Sequence, residues 1–76
     1  MAREYADKVH AKIIKALTEA RKSSGLSHEA LAKKTGISRP AISFIESGKR
    51  KPTLYSCIRL AEALDIKLGN ILIDSE

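Results

Sequence analysis

Six basic side chains crowd one part of this 76-residue sequence. Lys33, Lys34, Arg39, Lys49, Arg50 and Lys51 face a single acid, Glu46, so the stretch from Lys33 to Lys51 carries the whole net charge of +5. The remaining eight basic and eight acidic residues cancel. Charge confined in this way is the footprint of a surface that binds phosphates, whereas a merely solvated lysine-rich face would scatter it along the chain. Interleaved with the bases are the hydroxyls of Ser38, Ser43 and Ser47 and the ring of Phe44, the chain's single Phe. Hydroxyls both donate and accept hydrogen bonds.

Other chemistries find little support. The lone Cys57 cannot close an internal disulfide and no Cys/His cluster has zinc spacing, so the expectation is no metal, no cofactor and a reducing cytoplasm. Ser, His and acidic residues form no nucleophile or paired-carboxylate arrangement, which argues against an enzyme. RNA binding would call for an aromatic stacking platform, and aromatics make up only 4% of the residues. No apolar run approaches the roughly 20 residues of a membrane span, and the N-terminus lacks the apolar core of a signal peptide. A soluble cytoplasmic protein without a membrane role is the simplest reading.

The elements that must position these residues are helices. Leu, Ile and Ala dominate the apolar residues and Val occurs once, which favours helices over a sheet. One domain spanning 1–76 is expected. From Arg3 to about Ser23 the residues Tyr5, Val9, Ile13, Leu17 and Ala20 recur at helical spacing, with Glu4–Lys8 and Arg3–Asp7 as i,i+4 pairs. About 20 residues make a helix roughly 30 Å long, so its extension, 3–12, should overhang the core. Ser27 caps a second helix with Leu31 and Ala32 inward and Lys33 and Lys34 outward, and Gly36 can take the positive φ that ends it. Ser38 caps a third helix with Pro40 in its first turn, where a missing N–H costs nothing. It should bury Ile42 and Ile45, present Arg39, Pro40, Ser43, Phe44 and Ser47, and stop at Gly48. After the loop Lys49-Arg50-Lys51-Pro52, Thr53 caps a fourth helix, Leu54 to Leu64, with Leu54, Cys57, Ile58, Ala61 and Leu64 as its inward stripe. A short helix from Leu68 to Ile73 follows. The second and third helices, about 27–46, have the residue types of a helix-turn-helix: small Ala32 at the crossing, Gly36 in the turn and Ile42 as the apolar plug.

The run from Leu26 to Ile66 resembles the XRE family of bacterial and phage regulators, the group similar to the lambda and Cro repressors. It contains Leu-Ala-x-x-x-Gly-Ile-Ser, Ile-Ser-x-Ile-Glu-x-Gly, Lys-Arg-Lys-Pro and Leu-Ala-x-Ala-Leu. The resemblance implies an all-α, compact five-helix domain, a two-fold homodimer, and repression or activation of transcription at a near-palindromic double-stranded DNA operator. It also implies an ion pair between Arg21 and Glu46 that fixes the third helix against the first. Two positions depart from the family. His28 stands where the family commonly has a Gln that meets a phosphate and braces a residue of the third helix; neutral or charged it could donate to a phosphate, with binding that strengthens as pH falls, or it could simply be exposed. Phe44 stands where a polar residue is commoner, and its ring either reads a thymine methyl or packs against the second helix.

On this reading the third helix enters the major groove. Arg39 is the candidate for a bidentate guanine contact, or alternatively a phosphate clamp, with Pro40, Ser43, Phe44 and Ser47 as further base-edge or sugar contacts. His28, Ser38, Lys49, Arg50 and, less firmly, Lys51 would hold phosphates. Leu68, Ile71, Leu72 and Ile73 are the first choice for the dimer interface, and Tyr5 and Val9 of the first helix the second. No small-molecule effector is expected. The alternative is a protein-interaction module on the same fold, such as an antitoxin that binds a toxin. Among DNA-binding roles, a restriction-modification controller, a Cro-like switch protein and a regulator of mobile-element genes all fit, and the sequence does not choose between them.

Overall fold

A computed structural model describes residues 2–74, and the expected single-domain range of 1–76 extends beyond them at both ends. The described chain forms five helices and no strand: α1 (Ala2–Ser23), α2 (His28–Thr35), α3 (Arg39–Ser47), α4 (Leu54–Ala63) and α5 (Leu68–Asp74). Each boundary follows from local chemistry. Ser27 Oγ accepts from the Ala30 N–H at 3.0 Å, Ser38 Oγ from Ala41 at 3.3 Å, and Thr53 Oγ1 from Ser56 at 3.0 Å. Each bond satisfies one of the orphan donors of a helix start. Gly36 and Gly48 end α2 and α3 in the left-handed region at φ 77° and 83°.

Leu17, Leu31, Ile42, Leu60, Ala61 and Leu64 form the centre of the core, with Ile13, Ala20, Leu26, Ala32, Ile37, Leu68 and Ile71 packed around them. All five helices contribute, which is how a chain this short closes a core. Its α1 of 22 residues is about 33 Å long, nearly the longest dimension of the molecule, 37 Å. Residues 3–8 are exposed, whereas Val9 and His10, inside the expected extension of 3–12, are partly covered. Tyr5 lies on this exposed start rather than on a buried stripe, and Ile14 is buried in the first helix instead.

The inward stripe of α4 differs from expectation. Leu54 and Ile58 are 69% and 47% exposed, while Leu60 is buried. Cys57, Leu60, Ala61 and Leu64 cluster within about 100° of the helix circumference, and Ile58 lies about 100° around from Cys57, off that cluster. Leu54 belongs to the uncovered first turn. The four apolar residues of α5 also divide: Leu68 and Ile71 pack on the core, whereas Leu72 and Ile73 are exposed.

Candidate nucleic-acid interface

The candidate surface is built on a largely buried ion pair. Arg21, near the end of α1, donates from Nε to Glu46 Oε2 at 2.7 Å and from a terminal nitrogen to Oε1 at 2.9 Å, while its other terminal nitrogen bonds the Leu26 carbonyl at 2.8 Å. This two-pronged geometry ties the C-terminal half of α3 to α1 and to the loop before α2. The pair implied by the family resemblance is therefore present. His28 adds a bond whose partner the sequence did not reveal, from Nε2 to Glu46 Oε1 at 2.9 Å. Burial alone would raise the Glu46 carboxyl, but the bonds from Arg21 and His28 outweigh it and hold the group below its ordinary value. The bond to Glu46 raises the Arg21 guanidinium correspondingly.

With α3 anchored by Ile42, Ile45 and Glu46, its other face is open. Arg39, Pro40, Ser43 and Phe44 line one shallow depression together with His28. Phe44 is 46% exposed in it, so its ring is not absorbed by packing against α2. Arg39 also borders a neighbouring depression with Arg21, Ser27, His28 and Glu29 at the start of α2. Ser47 is separate. It lines a groove between α1 and the end of α3, and its hydroxyl donates to the Phe44 carbonyl at 3.1 Å.

The basic loop is held by the same carbonyl. The backbone amides of Lys49 and Arg50 donate to Phe44 O at 2.9 and 3.2 Å, so the loop leaves α3 in a fixed direction with both side chains exposed. Lys51 lies apart from them, its ammonium 3.4 Å from Asp7 on the α1 overhang. Both groups are exposed, and a pair of this kind contributes little, so Lys51 stays able to exchange partners. Ser38 caps α3 with its side chain and remains exposed at the helix start.

Two supports of this surface carry no mark in the sequence. Thr35, fully buried, donates to the Leu31 carbonyl at 2.8 Å and accepts from the Ile37 N–H at 3.1 Å, which shapes the turn between α2 and α3. Arg59 of α4 reaches across to donate to the Thr35 carbonyl, and its guanidinium lies 5.8 Å from the Tyr55 ring centre. A cation at the C-terminal end of α2 also suits the helix dipole. Arg59 stands 24 residues from the carbonyl it braces, and periodicity alone would have made Thr35 an ordinary polar residue.

The helix-turn-helix family model matches residues 17–71, from the last two turns of α1 into α5. The chain belongs to the XRE-type helix-turn-helix family. Three relatives carry the name uncharacterized HTH-type transcriptional regulator. One from Archaeoglobus fulgidus is 33% identical over 57 residues, 75% of this chain and 81% of its own. Another, from Methanocaldococcus jannaschii, is 42% identical over 48 residues, 63% of this chain and 73% of its own. A third, from Bacillus subtilis, is 36% identical over 56 residues, 74% of this chain but 48% of its own length. No solved structure gives a significant match. The family match begins at Leu17, so the exposed turns at the start of α1 lie outside the matched region. No described helix is long and apolar enough to cross a membrane.

Proposed function

We propose that this chain is a sequence-specific, double-stranded DNA-binding transcriptional regulator that works as a homodimer on a near-palindromic operator. The observation that supports it best is the convergence of Arg39, Pro40, Ser43, Phe44 and His28 on one open face of α3, beside the exposed bases Lys49 and Arg50. A helix of nine residues with such a face fits the major groove. Arg39 at its start reads guanine O6 and N7, Phe44 meets a thymine methyl, and Ser43 and Pro40 lie between them. Lys49, Arg50, Ser38 and His28 hold phosphates on either side, which sets the register of α3 without reading sequence. Ser47 and Lys51 take peripheral places, one at the groove beside α1 and the other beside Asp7.

Selection of bound duplexes from a random pool tests this reading. The expected result is an enriched site of two inverted half-sites whose centres lie about 10 bp or a multiple of it apart. Arg39→Ala should relax one base pair in each half-site, at a cost of about 1–3 kcal/mol per contact. If no sequence is enriched, the DNA-binding reading fails and a protein-interaction module on this fold, an antitoxin among them, takes its place.

A further inference from the structure

The bond between His28 and Glu46 limits what His28 can offer to DNA. Glu46 is ionised beside Arg21, and a carboxylate only accepts, so the proton in the 2.9 Å contact belongs to His28 Nε2. A neutral imidazole has one N–H. With that N–H committed to Glu46, Nδ1 is a bare acceptor and would meet a phosphate oxygen acceptor to acceptor. The imidazolium alone has a donor at each nitrogen. The side chain is 30% exposed, and it borders both depressions that Arg39 borders, about 600 Å³ at the start of α2 and about 240 Å³ along α3.

We infer that His28 is a proton-gated phosphate ligand: binding of DNA takes up one proton per protomer at Nδ1, and the imidazolium then bridges Glu46 and a backbone phosphate. This rests on the DNA-binding reading above. The proton comes from solvent, and no other bond is made or broken. The charged groups around the ring are Arg21 from α1, Glu29 on α2 itself, and Arg39 and Glu46 from α3. The two guanidiniums oppose a further positive charge and the two carboxylates favour it. An arriving phosphodiester adds negative charge at the open side of the ring, so protonation and binding reinforce each other. Affinity therefore rises as pH falls, by up to about tenfold per pH unit for each protomer wherever the free ring is neutral and the bound ring charged.

The test uses a mixed-sequence duplex of about 30 bp at fixed low salt, because phosphate contacts need no particular sequence. Anisotropy titrations from about pH 6 to 8 should give a steep dependence for the wild type and for His10→Gln, which removes the other histidine. His28→Gln, which donates at any pH, should give a flat one. Calorimetry in buffers of differing ionisation enthalpy should show one proton taken up per bound protomer. Nitrogen-correlated NMR of the wild-type ring should show His28 change from singly to doubly protonated when duplex is added near neutral pH, a readout independent of whether any variant folds. Equal slopes for the wild type and His28→Gln, or a ring that keeps one proton in the complex, would overturn the gating. Failure to bind at any pH would instead overturn DNA binding itself.

Discussion

Glu46 accepts three hydrogen bonds, two from Arg21 and one from His28, at a site only partly open to solvent. Glu46→Gln keeps the shape but removes the charge, and its single amide oxygen can accept only one of the two Arg21 bonds while the NH₂ is set against a donor. The loss should be about 3 kcal/mol, because the cost lies in stranding the partner charge. For a domain of this size that lowers Tm by on the order of 10–20 °C. The dependence on pH has a definite sign. The folded carboxyl titrates below its ordinary value, so the unfolded chain binds the proton more readily. The contribution is complete above about pH 5 and is lost as pH falls through the folded value. Urea denaturation at neutral pH and near pH 4 should thus show a large difference between wild type and Glu46→Gln in the first case and a smaller one in the second; an equal difference at both would contradict the argument. The sequence carried this pair only through the family resemblance, since its partners stand 25 residues apart and nothing local connects them. The third bond, from His28, was legible only as the resemblance's bracing of the third helix from this position, because spacing says nothing about which ring nitrogen meets which carboxylate.

At the scale of elements, the caps and turns were legible and the faces of the shorter helices less so. Ser27, Ser38 and Thr53 start helices through bonds to amides three residues on, and Gly36 and Gly48 end them, all within the reach of local chemistry. The stripe of α4 was misassigned because four apolar residues, Leu54, Cys57, Ile58 and Leu60, fit two overlapping faces of a ten-residue helix. Contacts from α2 and α5 choose between those faces, and periodicity cannot. The turn between α2 and α3 gives the sharpest test of the local part. A Cβ built on Gly36 would meet only the Arg59 guanidinium, at an ordinary 3.8 Å, so space is not the difficulty. The φ of 77° is. Gly36→Ala should cost about 1–2 kcal/mol through left-handed strain, and Gly36→Asn less, since Asn tolerates that region. Both should lower the urea midpoint at unchanged m, and equal stability of Ala and Gly variants would mean that the turn does not need this conformation.

For the whole molecule, the requirement is enough DNA contact to distinguish one site from a genome of competitors. A single small module buries roughly 600–1,000 Å² on DNA, and its specificity multiplies when a second copy holds the adjacent half-site. For the proposed dimer, the exposed apolar side chains are the candidate contacts. Leu68 and Ile71 are engaged by the core, so an aspartate at either position would disturb the fold and say little about association. Leu72 and Ile73, exposed on the last turns of α5, can be changed without opening the core, and Ile73 is 68% exposed. The double variant Leu72→Asp, Ile73→Asp should therefore keep the wild-type Tm within a few degrees, sediment as a monomer where the wild type sediments as a dimer, and lose affinity for a two-half-site duplex far more than for a single half-site. An interface on the α1 overhang predicts the opposite pattern, with dimers surviving the double change and failing on Tyr5→Asp, because Tyr5 is exposed on that overhang. Sedimentation of the two variants at one protein concentration separates the cases, since neither position contributes to the core and loss of dimer cannot be mistaken for loss of fold.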